Sequence, residues 1–101
     1  MTAPACDGTW AVFAGAAIDA ARYAADVQTL LDANPQATYT LTQGGCSSMR
    51  QQLPDGTLIY AVWAGPYPDQ ASACAARTQF GEGAYVKRMD NATPPDQLWQ
   101  C

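Results

Sequence analysis

The stretch YAVWAGPYPDQASACAAR, residues 60–77, decides the fold. An apolar run from Leu58 to Gly65, rich in branched and aromatic residues, reads as a strand. Gly65-Pro66 closes it, and Asp69 opens an alanine-rich helix over 69–80, in which Ala71, Cys74, Ala75 and Thr78 are expected to share one face. An earlier stretch, WAVFAGAAIDAARYA, repeats this order of strand, glycine and alanine-rich helix. Its strand is expected over 9–15. Its helix, over 18–34, has Ala20, Ala24, Val27 and Leu31 at helical spacing, flanked by Tyr23 and Leu30, and ends at Asn34-Pro35 because the residue before proline avoids the helical region.

Two more strands complete the pattern. ATYTLTQ (37–43) alternates, with Tyr39 and Leu41 on one face and Thr38, Thr40 and Thr42 on the other. GEGAYVKRM (81–89) is a glycine-flanked turn into a last short strand. Residues 44–57 are the one long connection, with a helical turn expected around Ser47 to Gln51 and a Pro54-Asp55-Gly56 turn after it. The order βαββαβ has a simple solution in the α+β class. It is a four-stranded antiparallel sheet with both helices on one face, the split βαβ or ferredoxin-like arrangement. At 101 residues the chain is one domain, with a core over about 9–90 and a proline-rich tail over 90–101.

Composition narrows the function. The formal charge is −4, which disfavours nucleic acid as a partner, and Lys87-Arg88 is the one local basic spot. Histidine is absent, so no Ser-His or Cys-His pair exists. The acids lie scattered at turns and helix starts, where capping and solvated roles are the norm, and a paired-carboxylate role for Asp55 and Glu82 has little to support it. No enzyme activity, cofactor or metal site is expected. Asn91-Ala92-Thr93 fits a glycosylation pattern that occurs often by chance.

The four cysteines, Cys6, Cys46, Cys74 and Cys101, form no close pair of the kind zinc sites use. Two disulfides in an oxidising compartment are the better reading, with four reduced buried thiols as the alternative. Three pairings exist. Because the first and last strands are neighbours in this topology, Cys6 with Cys101 and Cys46 with Cys74 is the expected one. No signal peptide or spanning segment is visible, so the expectation is a domain cut from a longer extracytoplasmic protein whose signal or membrane anchor lies outside this sequence.

The motif aromatic-x-Val-x-x-Gly before an alanine-rich helix, then aromatic-x-Val-x-x-Gly-Pro-aromatic before a second, resembles the SPOR domain, the sporulation-related repeat. Trp10, Val12 and Gly15 match in the first half. Tyr60, Val62, Gly65, Pro66, Tyr67 and Ala71 match in the second. The resemblance covers about residues 9–90 and implies a βαββαβ fold that binds peptidoglycan glycan strands stripped of stem peptides, outside the cytoplasm. This chain departs from the family in carrying Phe13 where a polar Gln is usual, Ala61 and Trp63 where the third strand is often polar, and Ala16-Ala17 where Ser-Phe is usual. With its cysteines and alanine bias it resembles a divergent, actinobacterial branch.

Register assigns the faces. With Trp10, Val12, Ala14, Tyr60, Val62, Ala64 and Val86 turned to the helices, the residues Ala11, Phe13, Ile59, Ala61, Trp63, Tyr85 and Lys87 point outward. Phe13 and Trp63 then stand side by side, with Tyr85, Lys87 and the row containing Thr40 around them. Rings stack on sugar faces while hydroxyls and a lysine bond their substituents, so Phe13, Trp63, Tyr85, Lys87 and Thr40 are the candidate ligand residues. Two other readings stay open: the tail, with Leu98 and Trp99, covers this face, or the face is a protein interface. The partner is accordingly a peptidoglycan glycan strand or, alternatively, an extracellular protein met by a sensor domain of a membrane-anchored receptor. A monomer is expected.

Overall fold

The computed structural model describes residues 1–101. Its elements are β1 (Trp10–Ala17), α1 (Tyr23–Ala33), β2 (Thr38–Leu41), β3 (Tyr60–Tyr67), α2 (Gln70–Arg77) and β4 (Tyr85–Arg88). The sheet is antiparallel throughout, in the order β2-β3-β1-β4. This is the expected α+β, βαββαβ arrangement.

Local chemistry accounts for the boundaries. The chain from Ile18 to Arg22 leaves β1 as a turn in which the Asp19 carboxylate accepts from the Ala21 amide, so α1 starts five residues later than its spacing predicts. At the other end Asn34 donates through its side chain to Leu30 O and through its amide to Leu31 O, and Pro35 stops the helix. Asp69 is the N-cap of α2, its carboxylate accepting from the Ser72 amide at 2.8 Å, which holds its pKa below the ordinary aspartate value. Gly65-Pro66 does not end β3 as expected. The strand runs through it to Tyr67, which pairs with Trp10 across a register shift. Gly65 has φ +149°, and a Cβ there would lie 3.0 Å from Trp10 O, so glycine is required where the two strands crowd.

On the helix side, α1 covers Ala17 and Val62 through Val27, Leu30 and Leu31. A Cβ on Gly15 would meet Leu30 at 2.9 Å, which shows how closely α1 lies on β1. The face of α2 is rotated from the expected one. Ala73, fully buried, packs among Val12, Ala64 and Val86, with Cys74 and Ala76 beside it, while Ala71, Ala75 and Thr78 are exposed. The small Ala73 lets the helix lie flat on the sheet, and a covalent tie from Cys74 holds its flank.

The other face of the sheet carries a second core. Ala11, Phe13, Ala61 and Trp63 point outward as alternation predicts, but Cys46, Met49 and Met89 close over them. Two irregular segments form the cover. The N-terminal residues pass over the β2 edge, where the Thr2 amide donates to Tyr39 O, and Pro4 is buried on the way to Cys6. The connection after β2 folds back through Thr42 Oγ1 to Arg50 O at 2.7 Å and the Ser48 amide to Asp90 O at 3.1 Å.

The disulfides follow from this cover and correct the expected pairing. Cys6 bonds Cys46, and Cys74 bonds Cys101. The first clamps the two covering segments to each other; the second ties the tail to α2. Neighbouring strand ends did not decide the pairing, because neither Cys6 nor Cys101 lies in a strand and each chain end is carried to a different layer. Two disulfides are consistent with an oxidising environment. No helix is long and apolar enough to cross a membrane.

Candidate functional site

Of the five candidate ligand residues, the structure brings three together and removes two. Trp63 is 5% exposed and Thr40 is 2% exposed. The Trp63 indole donates to Thr2 O at 2.9 Å beneath the N-terminal segment, and the Thr40 hydroxyl turns to Leu41 O. The expectation of an open face at these positions is therefore corrected. A buried indole needs an acceptor, and the covering chain supplies one.

Phe13, Tyr85 and Lys87 line a groove of about 450 Å³ on the β1-β4 side of the same face. Phe13 is its floor, 2% exposed, and Tyr85 stacks on it with ring centroids 5.5 Å apart and planes 9° from parallel. One wall is the connection, at Met49 and Arg50; the opposite wall is the tail, from Pro95 to Trp99. Tyr85, Ile18 and Leu98 are 44%, 51% and 85% exposed, and the only other large apolar side chain as open is Met1. All three of these residues edge the groove. Such a concentration of exposed apolar side chains around one concavity marks a contact surface.

The tail is a wall and not a lid. Trp99 packs edge to face on Trp10 at 4.8 Å, at the end of the strands near α2, and Leu98 points to solvent. Gln70 holds Gln100 O, and Cys101 is bonded to Cys74. Asp90, where the tail begins, accepts from the amides of Ala92 and Thr93 and from the Thr93 hydroxyl, and these bonds hold its pKa below the ordinary value.

The groove is polar at Lys87. Its Nζ donates to Ser48 O at 2.9 Å on one wall and to Pro95 O at 2.6 Å on the other, so the ammonium bridges both. Burial lowers its pKa first, and the nearby Arg50 guanidinium adds to this, against a smaller pull from Asp96. Burial raises the pKa of Tyr85, so its phenol stays neutral. Arg50, Asp96 and Ile18 are not singled out by the sequence, whereas Leu98 is, as part of a tail that covers this face. They lie in irregular segments, where no periodicity assigns a direction.

A smaller hollow of about 360 Å³ lies between α1 and the β2 edge, lined by Tyr23, Tyr39, Tyr60 and apolar residues of α1. Its tyrosines pack on one another, with Tyr23 and Tyr60 centroids 4.9 Å apart, and Tyr23 donates to Leu58 O. No charged side chain lines it. It is the margin of the helix-side core.

No group of three or more His, Cys, Asp or Glu side chains is placed to hold a metal ion. Comparison with protein-family models, with curated proteins and with solved structures finds no match to this chain.

Proposed function

We propose that this chain is an extracytoplasmic binding module that holds a glycan strand in the groove beside Tyr85, the ligand implied by its SPOR-like motif being peptidoglycan stripped of stem peptides. The observation that carries the reading is the half-exposed Tyr85 ring, backed by the parallel Phe13 ring and flanked by Lys87. A ring braced from behind is a rigid platform whose free face can stack on a pyranose, and rigid aromatic platforms lose little entropy on binding.

The test is co-sedimentation of the oxidised protein with purified sacculi, intact and amidase-stripped. Enrichment on stripped sacculi, lost in Tyr85→Ala while that variant stays folded, is the expected outcome. Absence from both pellets would overturn the glycan reading. It would favour the second one, an extracellular protein partner seated on the exposed Ile18 and Leu98 side chains.

A further inference from the structure

The chain has five cations, and their partners divide them unequally. Arg22 pairs with Asp26 at 3.4 Å and Arg88 with Asp90 at 3.6 Å. Arg77 reaches Ala84 O from the end of α2. Arg50, Arg77 and Lys87 have no carboxylate within ion-pair distance, and of these three Arg50 and Lys87 line the groove. Arg50 is exposed and its side chain makes no hydrogen bond. Lys87 uses two of its three ammonium donors on carbonyls, which carry no net charge to offset its own. One carboxylate, Asp96, shares the groove, so the local balance is positive in a chain whose net charge is −4.

We infer that Arg50 and Lys87 form a carboxylate subsite within the groove, and that the sugar chain it selects carries free acid groups. This rests on the glycan reading above. Geometry supports the placement: Tyr85 and Lys87 are two apart on one strand and share a face, about 7 Å along it. A ring stacked on Tyr85 therefore sets an acidic substituent over Lys87, where the exposed Arg50 fork can close on it in bidentate fashion. The occupant is a sugar acid and not a polyanion. The net charge of the domain repels a dense anionic chain, whereas two cations beside one acid favour a single carboxylate.

The test compares two tetrasaccharides by titration at low ionic strength. One is a stem-peptide-free glycan fragment with free lactyl carboxylates, the other the neutral chitin tetrasaccharide. The acidic sugar is expected to bind about tenfold more tightly, with the advantage removed by Arg50→Gln and by about 1 M salt. Equal affinity for the two sugars, or an advantage that survives Arg50→Gln, overturns the subsite while leaving the glycan reading intact. Glucuronate alone, followed through the Arg50 Nε–H and Tyr85 ring signals by NMR, reads the subsite without any glycan. Saturable shifts of the Tyr85 ring signals that are absent in Arg50→Gln support it even if neither tetrasaccharide binds, a result that sinks only the glycan reading. Shifts that never saturate overturn the subsite. Arg50 has no partner to lose, so its variant keeps the fold.

Discussion

The two ends of the outer sheet face differ, although they start from the same strand pattern. Phe13 and Trp63 are directly paired neighbours on β1 and β3, both turned away from the helices. Over Trp63 lie the N-terminal residues and the Cys6–Cys46 bridge; Phe13, buried in the same cluster with Met49 and Met89, has the Tyr85 ring beside it, and that ring opens to solvent. An aromatic on the far side of a sheet is thus core at one end and platform at the other. The difference lies in which irregular segment reaches it.

The largest effect that would sharpen this comparison is removal of the bridge beneath the cover. Cys6→Ser with Cys46→Ser opens a link of sequence separation 40 and puts a hydroxyl where Cys46 is fully buried. Chain entropy alone assigns it roughly 4 kcal/mol, and the polar group at an apolar site adds to this. Urea denaturation should show the loss, with fluorescence in a Trp10→Phe, Trp99→Phe background reporting water at the Trp63 indole. A variant of near native stability would mean that the cover holds without its staple.

Next is Trp63→Ala. It deletes a buried indole and leaves Thr2 O without its donor, for an expected cost of about 3–5 kcal/mol. Tyr85→Ala, at a position 44% exposed, should cost about 1 kcal/mol or less by the same measurement. If the two variants melt alike, the division of the face into core and platform is wrong.

Cys74→Ser with Cys101→Ser frees the tail wall. The link has sequence separation 27, which sets an entropic ceiling of roughly 3.5 kcal/mol. The measured loss should fall below that of the first pair, because Cys101 is exposed and the released tail leaves the sheet core intact. Hydrogen exchange should rise over residues 94–101 and stay unchanged over 42–52. Exchange that rises in both segments would tie the two walls into one unit.

The smallest effect is on pH dependence, and it belongs to the open end alone. Burial depresses the Lys87 pKa below its ordinary 10.5, so between the native and unfolded values the unfolded chain binds more protons and stability rises with pH. Burial raises Tyr85 above its ordinary 10.0, so the folded chain holds that proton longer and stability falls as pH climbs past 10. Lys87→Met should flatten the rising limb and Tyr85→Phe the falling one. Denaturant midpoints across that range check both, and a profile unchanged in either variant would show that the groove does not bury these groups.

Much of this was legible in the sequence. All six elements appear in the expected order, and the outward set of Ala11, Phe13, Ala61, Trp63, Tyr85 and Lys87 follows from alternation alone. Half of β1 departs from it. A register shift between Phe13 and Gly15 turns Ala17 inward and leaves Ala16 on the groove, and nothing in the spacing announces the bulge. The α2 face was misjudged because alanine at most positions leaves the helix period almost without contrast.

The sequence by itself determined the class of fold, the direction of the strand residues outside the β1 bulge and the presence of two disulfides. Hydrophobic period and turn residues act within a few positions, and a chain of this length has few ways to pack the resulting pieces. The tertiary structure alone decided which cysteines meet, that Trp63 is covered, and that Arg50 and the tail build a groove with Tyr85 and Lys87. Those outcomes depend on the paths of residues 1–9, 42–59 and 90–101. These stretches carry little periodicity, and contacts with residues distant in the chain fix their course.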